Sequence, residues 1–225
     1  DSVETDGTTA GRVTTLTVDT LNRIDTGTLN IRNIANTATT FGTAAGTQKL
    51  LINSFAPTPT NGMIGANIVL WGGANATDAG TPLFATYDAT NGIQAATTVS
   101  ITNAATLAAA TTGQIGSLNG AAAFTVTGSP SLQALNIRST ANTNTVSGGT
   151  ITLGSIAAPG QGAGLFLAHT SNNGITHSSN FAFGSQEGLI YAATTGGTSG
   201  SITLSGVLSG SNGVTRFGDG ILILS

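Results

Sequence analysis

The 225-residue chain contains no cysteine, which excludes disulfides and thiolate metal sites and leaves packing and backbone hydrogen bonds to hold the fold. Charge is nearly as scarce: 7 % of residues are charged, against roughly 25 % in an average soluble protein. The six basic residues, Arg12, Arg23, Arg32, Lys49, Arg138 and Arg216, are scattered through a chain of net charge -3. That leaves no positive footprint for a phosphate backbone, so nucleic acid is excluded as a partner. Aromatics make up 5 % of the chain, and Trp71, Tyr87 and Tyr191 are too few for the two girdles of a membrane barrel. No window reaches the roughly 18 uninterrupted apolar residues of a membrane helix. The best rival, residues 104–128, is diluted by Thr, Gly, Asn and Gln. The chain is therefore expected not to span a membrane. No basic-then-apolar leader follows Asp1, so an export signal is expected to have been removed or to lie outside this sequence.

What the chain does have is 39 % hydrophobic residues, many of them in short in-out-in doublets, and 32 glycines. Val99 with Ile101, Phe124 with Val126, Leu135 with Ile137, Ile151 with Leu153, Leu165 with Leu167 and Ile202 with Leu204 each place two aliphatic or aromatic side chains on one face of an extended segment. Thr, Ser, Asn or Gly follows four of the six doublets, which supplies turns and a hydroxyl-rich, nearly uncharged exterior. The doublets recur at intervals that suit coils of about 20 to 30 residues. These features predict an all-β fold, a parallel β-helix (β-solenoid), running as a single domain over residues 1–225. The alternative is an antiparallel β-sandwich, because Asn-Gly pairs at Asn61, Asn91, Asn119, Asn173 and Asn212 are hairpin signals. Asparagine and glycine also suit the left-handed corners of a solenoid, so both architectures stay open.

Two stretches depart from this texture. The opening segment holds eight of the fifteen charged residues (Asp1, Glu4, Asp6, Arg12, Asp19, Arg23, Asp25 and Arg32) and alternates at Leu16 and Val18, then at Leu29 and Ile31, which predicts strands with a charged exterior. Residues 46–95, with Pro57, Pro59 and Pro82, read as an irregular insertion or loop-rich coils. The Ala-rich run at residues 104–110 is interrupted by Thr106 and has no apolar stripe of period 3.6, which predicts strand and turn rather than helix.

The final stretch, residues 200–225, reads GSITLSGVLSGSNGVTRFGDGILILS. It resembles the autotransporter-associated β-strand repeat, with matching positions at Ser205-Gly206, Leu208, Gly213-Val214, Arg216, Gly218, Gly220, Leu222 and Leu224. The preceding text from Gly164 is similar to what precedes such repeats in very long bacterial surface proteins. Arg216-Phe217 departs from the commoner lysine and small residue, and the usual following strand is absent from the sequence. The resemblance implies a right-handed parallel β-helix in the passenger region of a secreted, bacterial cell-surface protein. It brings no catalytic residue with it.

Candidates for chemistry are few. His169 and His177 are eight residues apart with no carboxylate nearer than Glu187, and read as surface or turn residues rather than metal ligands. Glu187 lies at a turn and reads as solvated or capping. Asp19 and Asp25 flank Arg23 in the manner of a surface ion pair rather than the facing carboxylates of a glycosidase. Asp78, Asp88 and Asp219 are isolated, and Asp219 alone is poor ligation for calcium. The Gly160–Gly164 run lacks the following Lys-Ser/Thr and helix of a phosphate loop. Asn75-Ala76-Thr77 fits a glycosylation acceptor by chance. No catalytic, cofactor-binding or metal residue is therefore assigned.

The expected function is structural: a stiff extracellular stalk, fibre or surface-coat segment that self-associates or forms filaments through its coil ends. The alternatives are an adhesin or glycan-binding module with Trp71, Phe84 and Tyr87 as contact zone, and, on fold analogy alone, a polysaccharide lyase or hydrolase.

Overall fold

The computed structural model describes residues 2–5, 14–33, 48–55, 59, 62–72, 81–119, 123–139, 145–156, 161–170, 174–194 and 200–225. The fold is all-β with parallel sheets, and the chain divides into two compact units, Asp1–Ala96 and Thr97–Ser225.

The first unit contains β1 (Ser2–Thr5), β2 (Thr14–Thr20), β3 (Leu29–Asn33), β4 (Gln48–Phe55), β5 (Gly65–Gly72), β6 (Thr81–Asp88) and β7 (Gly92–Ala95). Its main sheet has the order β1-β3-β5-β6-β7, and β2 pairs separately with β4. The pairs β1/β3, β3/β5 and β2/β4 are parallel, whereas β5/β6 and β6/β7 are antiparallel. Residues 46–95 thus contribute four strands to this unit. The β6–β7 hairpin is built by Asp88, whose carboxylate accepts from the amides of Thr90 (3.0 Å) and Asn91 (2.8 Å), and by Gly92, whose φ of 77° a side chain would resist. Ile31, Leu50, Ile52, Ile68, Leu70, Ala85 and Ile93 form the core.

The second unit is built differently. Its elements are β8 (Val99–Ser100), α1 (Ala104–Ala109), β9 (Ile115–Asn119), β10 (Phe124–Thr125), β11 (Ala134–Ser139), β12 (Val146–Ser147), β13 (Thr150–Thr152), β14 (Ala163–His169), β15 (Ile175–His177), β16 (Asn180–Ala182), β17 (Gly188–Thr194), β18 (Ser201–Leu204), β19 (Leu208–Ser209), β20 (Val214–Phe217) and β21 (Ile221–Leu224). Every pairing among its described strands is parallel. The sheets take strands in rotation: β13-β16-β19, β11-β14-β17-β20 and β15-β18-β21 each advance by three along the chain. Register is maintained from strand to strand, with Leu135 beside Leu165 beside Ile190, and Ile175 beside Ile202 beside Leu222.

The doublets read from the sequence fall where alternation puts them. Leu135, Ile137, Ile151, Leu153, Leu165, Leu167, Ile202 and Leu204 share one continuous core with Phe181 and Phe183, and all are fully buried. The opposite face of β14 and β17 is buried too, with Phe166 against Tyr191 at a centroid distance of 5.4 Å and Phe217 next in the column at 5.2 Å. A parallel sheet covered on both faces reads as near-continuous hydrophobic runs, as GLFLA and GLIYAA do.

The Ala-rich run is a correction: it is a helix, not strand and turn. Asn103 caps it, accepting from the Thr106 amide at 3.0 Å, while the Thr106 hydroxyl accepts from the Asn103 amide at 3.0 Å. This reciprocal capping box offsets the cost of nucleating so short a helix. Leu107 anchors it in the core.

Close packing also explains one glycine. A Cβ at Gly188 would stand 2.7 Å from the ring of fully buried Phe183. Gly188→Ala is expected to destabilise the protein by about 1–3 kcal/mol, as over-packing does, with unchanged far-ultraviolet circular dichroism; denaturant titration checks it.

Candidate functional site

The polar side chains that a reaction would need are engaged in building the fold. His169 and His177, expected at the surface, are both fully buried, which corrects that reading. His169 Nε2 lies 3.0 Å from the Gly200 carbonyl, so this nitrogen carries its proton. His177 Nδ1 accepts from the Val146 amide at 3.3 Å, and the Val146 carbonyl accepts in turn from Ser178 at 2.9 Å. Burial, and then the charge of neighbouring His169, lower the pKa of His177 to about 4. The imidazole is thus a neutral hydrogen-bonding piece of the interior. Alternation carried the signal: His169 stands two residues beyond Leu167 and His177 two beyond Ile175, on the inward face of their strands.

Glu187 Oε1 accepts from the Thr215 hydroxyl at 2.5 Å, tying two successive layers together. Asp19 accepts from the Ser54 hydroxyl, and Arg23 Nε donates to the Gly27 carbonyl at 2.9 Å across a turn in which Asp25 adopts φ of 50°. Asp88 holds the β6–β7 turn. The glycine-rich run that opens with Gly160 leads into strand β14, which begins at Ala163, not into a helix. Asp1, Asp6, Arg12, Pro57, Asn75-Ala76-Thr77, Asp78 and Gly160 lie outside the described residues. Among the described residues no group of three or more His, Asp or Glu side chains is placed to hold a metal, and no helix is long and apolar enough to cross a membrane.

The aromatic contact zone expected for an adhesin is withdrawn from solvent. Trp71 is 6 % and Phe84 1 % exposed, and the half-buried Tyr87 directs its hydroxyl onto the Ile52 backbone, donating to the carbonyl and accepting from the amide, both at 3.1 Å.

What remains as a surface feature is the C-terminal segment, residues 200–225. Strands β19, β20 and β21 each stand at the end of their sheet. Five of the eight exposed large hydrophobics among the described residues lie here: Val207, Val214, Ile221, Ile223 and Leu224. Strand edges and apolar side chains coincide in one segment.

Comparison of the chain with protein-family models, with curated proteins and with solved structures returns no match.

Two measurements follow from these placements. His177 has a folded pKa below its unfolded value of 6.5, so the unfolded chain binds more protons between pH 6.5 and 4. Stability is expected to fall by about 3 kcal/mol as pH drops through that window and to level off below it as far as this group is concerned. Urea titrations at stepped pH check this, and a flat profile refutes the burial of a neutral imidazole. Trp71, the single tryptophan, is expected to emit at the blue end of its range and to resist iodide quenching, both losses of burial being visible on denaturation.

Proposed function

We propose that this chain is a structural segment of an extracellular protein, a stiff stalk, fibre or surface-coat piece of bacterial passenger type, in which Thr97–Ser225 coils as a parallel β-solenoid. The observation that supports it most is the rotation of strands among sheets: β13, β14 and β15 are followed in the same order by β16, β17 and β18, then by β19, β20 and β21, each paired in parallel with its predecessor. Parallel crossovers are right-handed almost without exception, which favours a right-handed coil. The resemblance of residues 200–225 to the autotransporter-associated β-strand repeat points the same way. It supports a place on the outside of a bacterial cell.

The economy of charge fits a mechanical part. Each layer satisfies the backbone of its neighbour, and hydroxyl and amide side chains reinforce the ladder, with Thr125 Oγ1 3.2 Å from Ser147 Oγ and Asn180 Nδ2 donating to Thr150 Oγ1 at 3.3 Å. A solenoid gains length by adding such layers without a larger core. An enzymatic reading has no cluster of acids and bases to draw on among the described residues, and a glycan-binding reading loses Trp71 and Phe84.

Proteinase K is the discriminating reagent, since residues 97–225 offer trypsin only Arg138 and Arg216. A resistant fragment spanning most of residues 97–225 is expected to persist under conditions that degrade the urea-unfolded chain within minutes, and negative-stain images are expected to show elongated particles. Rapid digestion throughout that region, or steady release of product from a polysaccharide panel, overturns the proposal.

A further inference from the structure

His177 occupies a place that by position belongs to an aliphatic side chain. Its register partner on β18 is Leu204, and Val146 of β12 lies on its other flank, both of them fully buried members of the core. The strand it holds is slight. Among the described strands, β12 pairs with β10 alone, over two residues. Residues 177–179 grip both backbone groups of Val146. The amide donates to His177 Nδ1 at 3.3 Å, and the carbonyl accepts from the amides of Ser178 at 2.9 Å and Ser179 at 3.3 Å. The buried Ser179 hydroxyl finds no hydrogen-bond partner among the described residues, which lowers the cost of opening this corner to water.

The two buried imidazoles respond differently to a proton. His169 donates from Nε2 to the Gly200 carbonyl, a bond that an imidazolium keeps. His177 accepts at Nδ1, so a proton there sets two N–H donors against each other and places a charge in an aliphatic column. The other ionisable side chains of residues 97–225 are Arg138, Glu187, Tyr191, Arg216 and Asp219. Arg138 and Tyr191 stand on the opposite face of their strands from Ser139 and Thr194, the register partners of His169. Glu187 precedes β17, at the far end of that strand from Thr194, Arg216 lies beside Ile190, and Asp219 is exposed after β20. Strands β10, β12, β15, β16 and β18 carry no Asp, Glu, Lys or Arg. The charge that acts on His177 is that of His169, and it opposes a second proton.

We propose that His177 is an acid-operated latch: neutral, it holds β12 to residues 177–179, and protonated it releases that corner while β11, β14 and β17 stay paired. Opening lets the imidazole reach water, which relieves the burial and the His169 charge that lower its pKa from 6.5 to about 4. The open corner therefore takes the proton first. Its population relative to the closed form is expected to rise about tenfold for each pH unit lost between 6.5 and 4, and to be level outside that window. The latch is independent of the role proposed above, since it needs only the bonds at Val146.

Amide hydrogen exchange of the full chain, resolved by nuclear magnetic resonance and corrected for the intrinsic rate at each pH, tests it. The amides of Val146, Ser178 and Ser179 are expected to lose protection about tenfold per pH unit between 6.5 and 4. They are expected to do so without response to low concentrations of urea, the mark of a local opening. The amides of Leu165, Leu167 and Ile190 are expected to stay at least tenfold better protected and to respond to urea. His177→Gln, which keeps a neutral acceptor at the same place, is expected to flatten the pH dependence at Val146. A long-range nitrogen-15 correlation spectrum at pH 7 is expected to show His177 with its proton on Nε2. A proton on Nδ1, a flat profile in the parent, equal protection and urea response at both sets of amides, or an undiminished slope in His177→Gln overturns the latch. Should His177→Gln fail to fold, the tautomer and the two sets of amides in the parent decide.

Discussion

Parallel, in-register pairing between strands is the constraint on which the Thr97–Ser225 unit depends. It satisfies the backbone donors and acceptors of each short strand, several of which are only two or three residues long and would not persist as isolated pairs. It also stacks side chains of like kind, so that Leu135, Leu165 and Ile190 form one column of the interior and Phe166, Tyr191 and Phe217 one column of the opposite face. Little else holds this unit. There is no disulfide, and the helix α1 contributes a single buried side chain, Leu107.

That pairing gives a structural role to several of the polar side chains among the described residues. Asn180 both donates to Thr150 in the layer before and accepts from the Val207 amide in the layer after, at 2.8 Å. Glu187, just before β17, accepts from Thr215 of β20, and His177 serves the Val146 amide as an acceptor. Such groups are positioned by the ladder and are occupied by it.

The part of the fold that was legible in the sequence is the part with a strict period. Doublets such as Leu165/Leu167 and Ile202/Leu204 mark inward faces because alternation in a strand leaves no other choice. The same rule extended by two residues reaches His169 and His177, and their burial went unread because residue type was weighed above position. The helix α1 was missed for a different reason. Its evidence lies in the Asn103–Thr106 cap and not in amphipathic periodicity, which six residues are too few to display. The antiparallel β5–β6–β7 arrangement of the first unit was ambiguous at its root. Asn91-Gly92 closes a hairpin there, whereas Asn212-Gly213, with the same left-handed glycine, leads into the parallel strand β20. One dipeptide conformation serves both topologies, so only the long-range pairing decides between them. The surface character of residues 200–225 was equally hidden. Exposure of Leu224 depends on what stands beside it, and a one-dimensional pattern identical to that of Leu204 carries no such information.

The scarcity of charge, first met as an absence, has its cause in this geometry. Parallel in-register strands lie about 4.8 Å apart, so equivalent positions of successive layers are superposed. Two like charges at that spacing repel by roughly 3 kcal/mol at the effective dielectric of a protein surface, and the penalty recurs with every layer. Opposite charges relieve it only if their order is kept. In Thr97–Ser225 the problem is avoided instead: Arg138 has Asn119 and Ala168 beside it, Arg216 has Ile190, and Glu187 and Asp219 lie outside the strands. Thr, Ser and Asn escape the penalty because each carries donor and acceptor together and bonds to its own kind in the next layer. Parallel sheets paired in register therefore favour neutral polar residues at superposed positions of their strands.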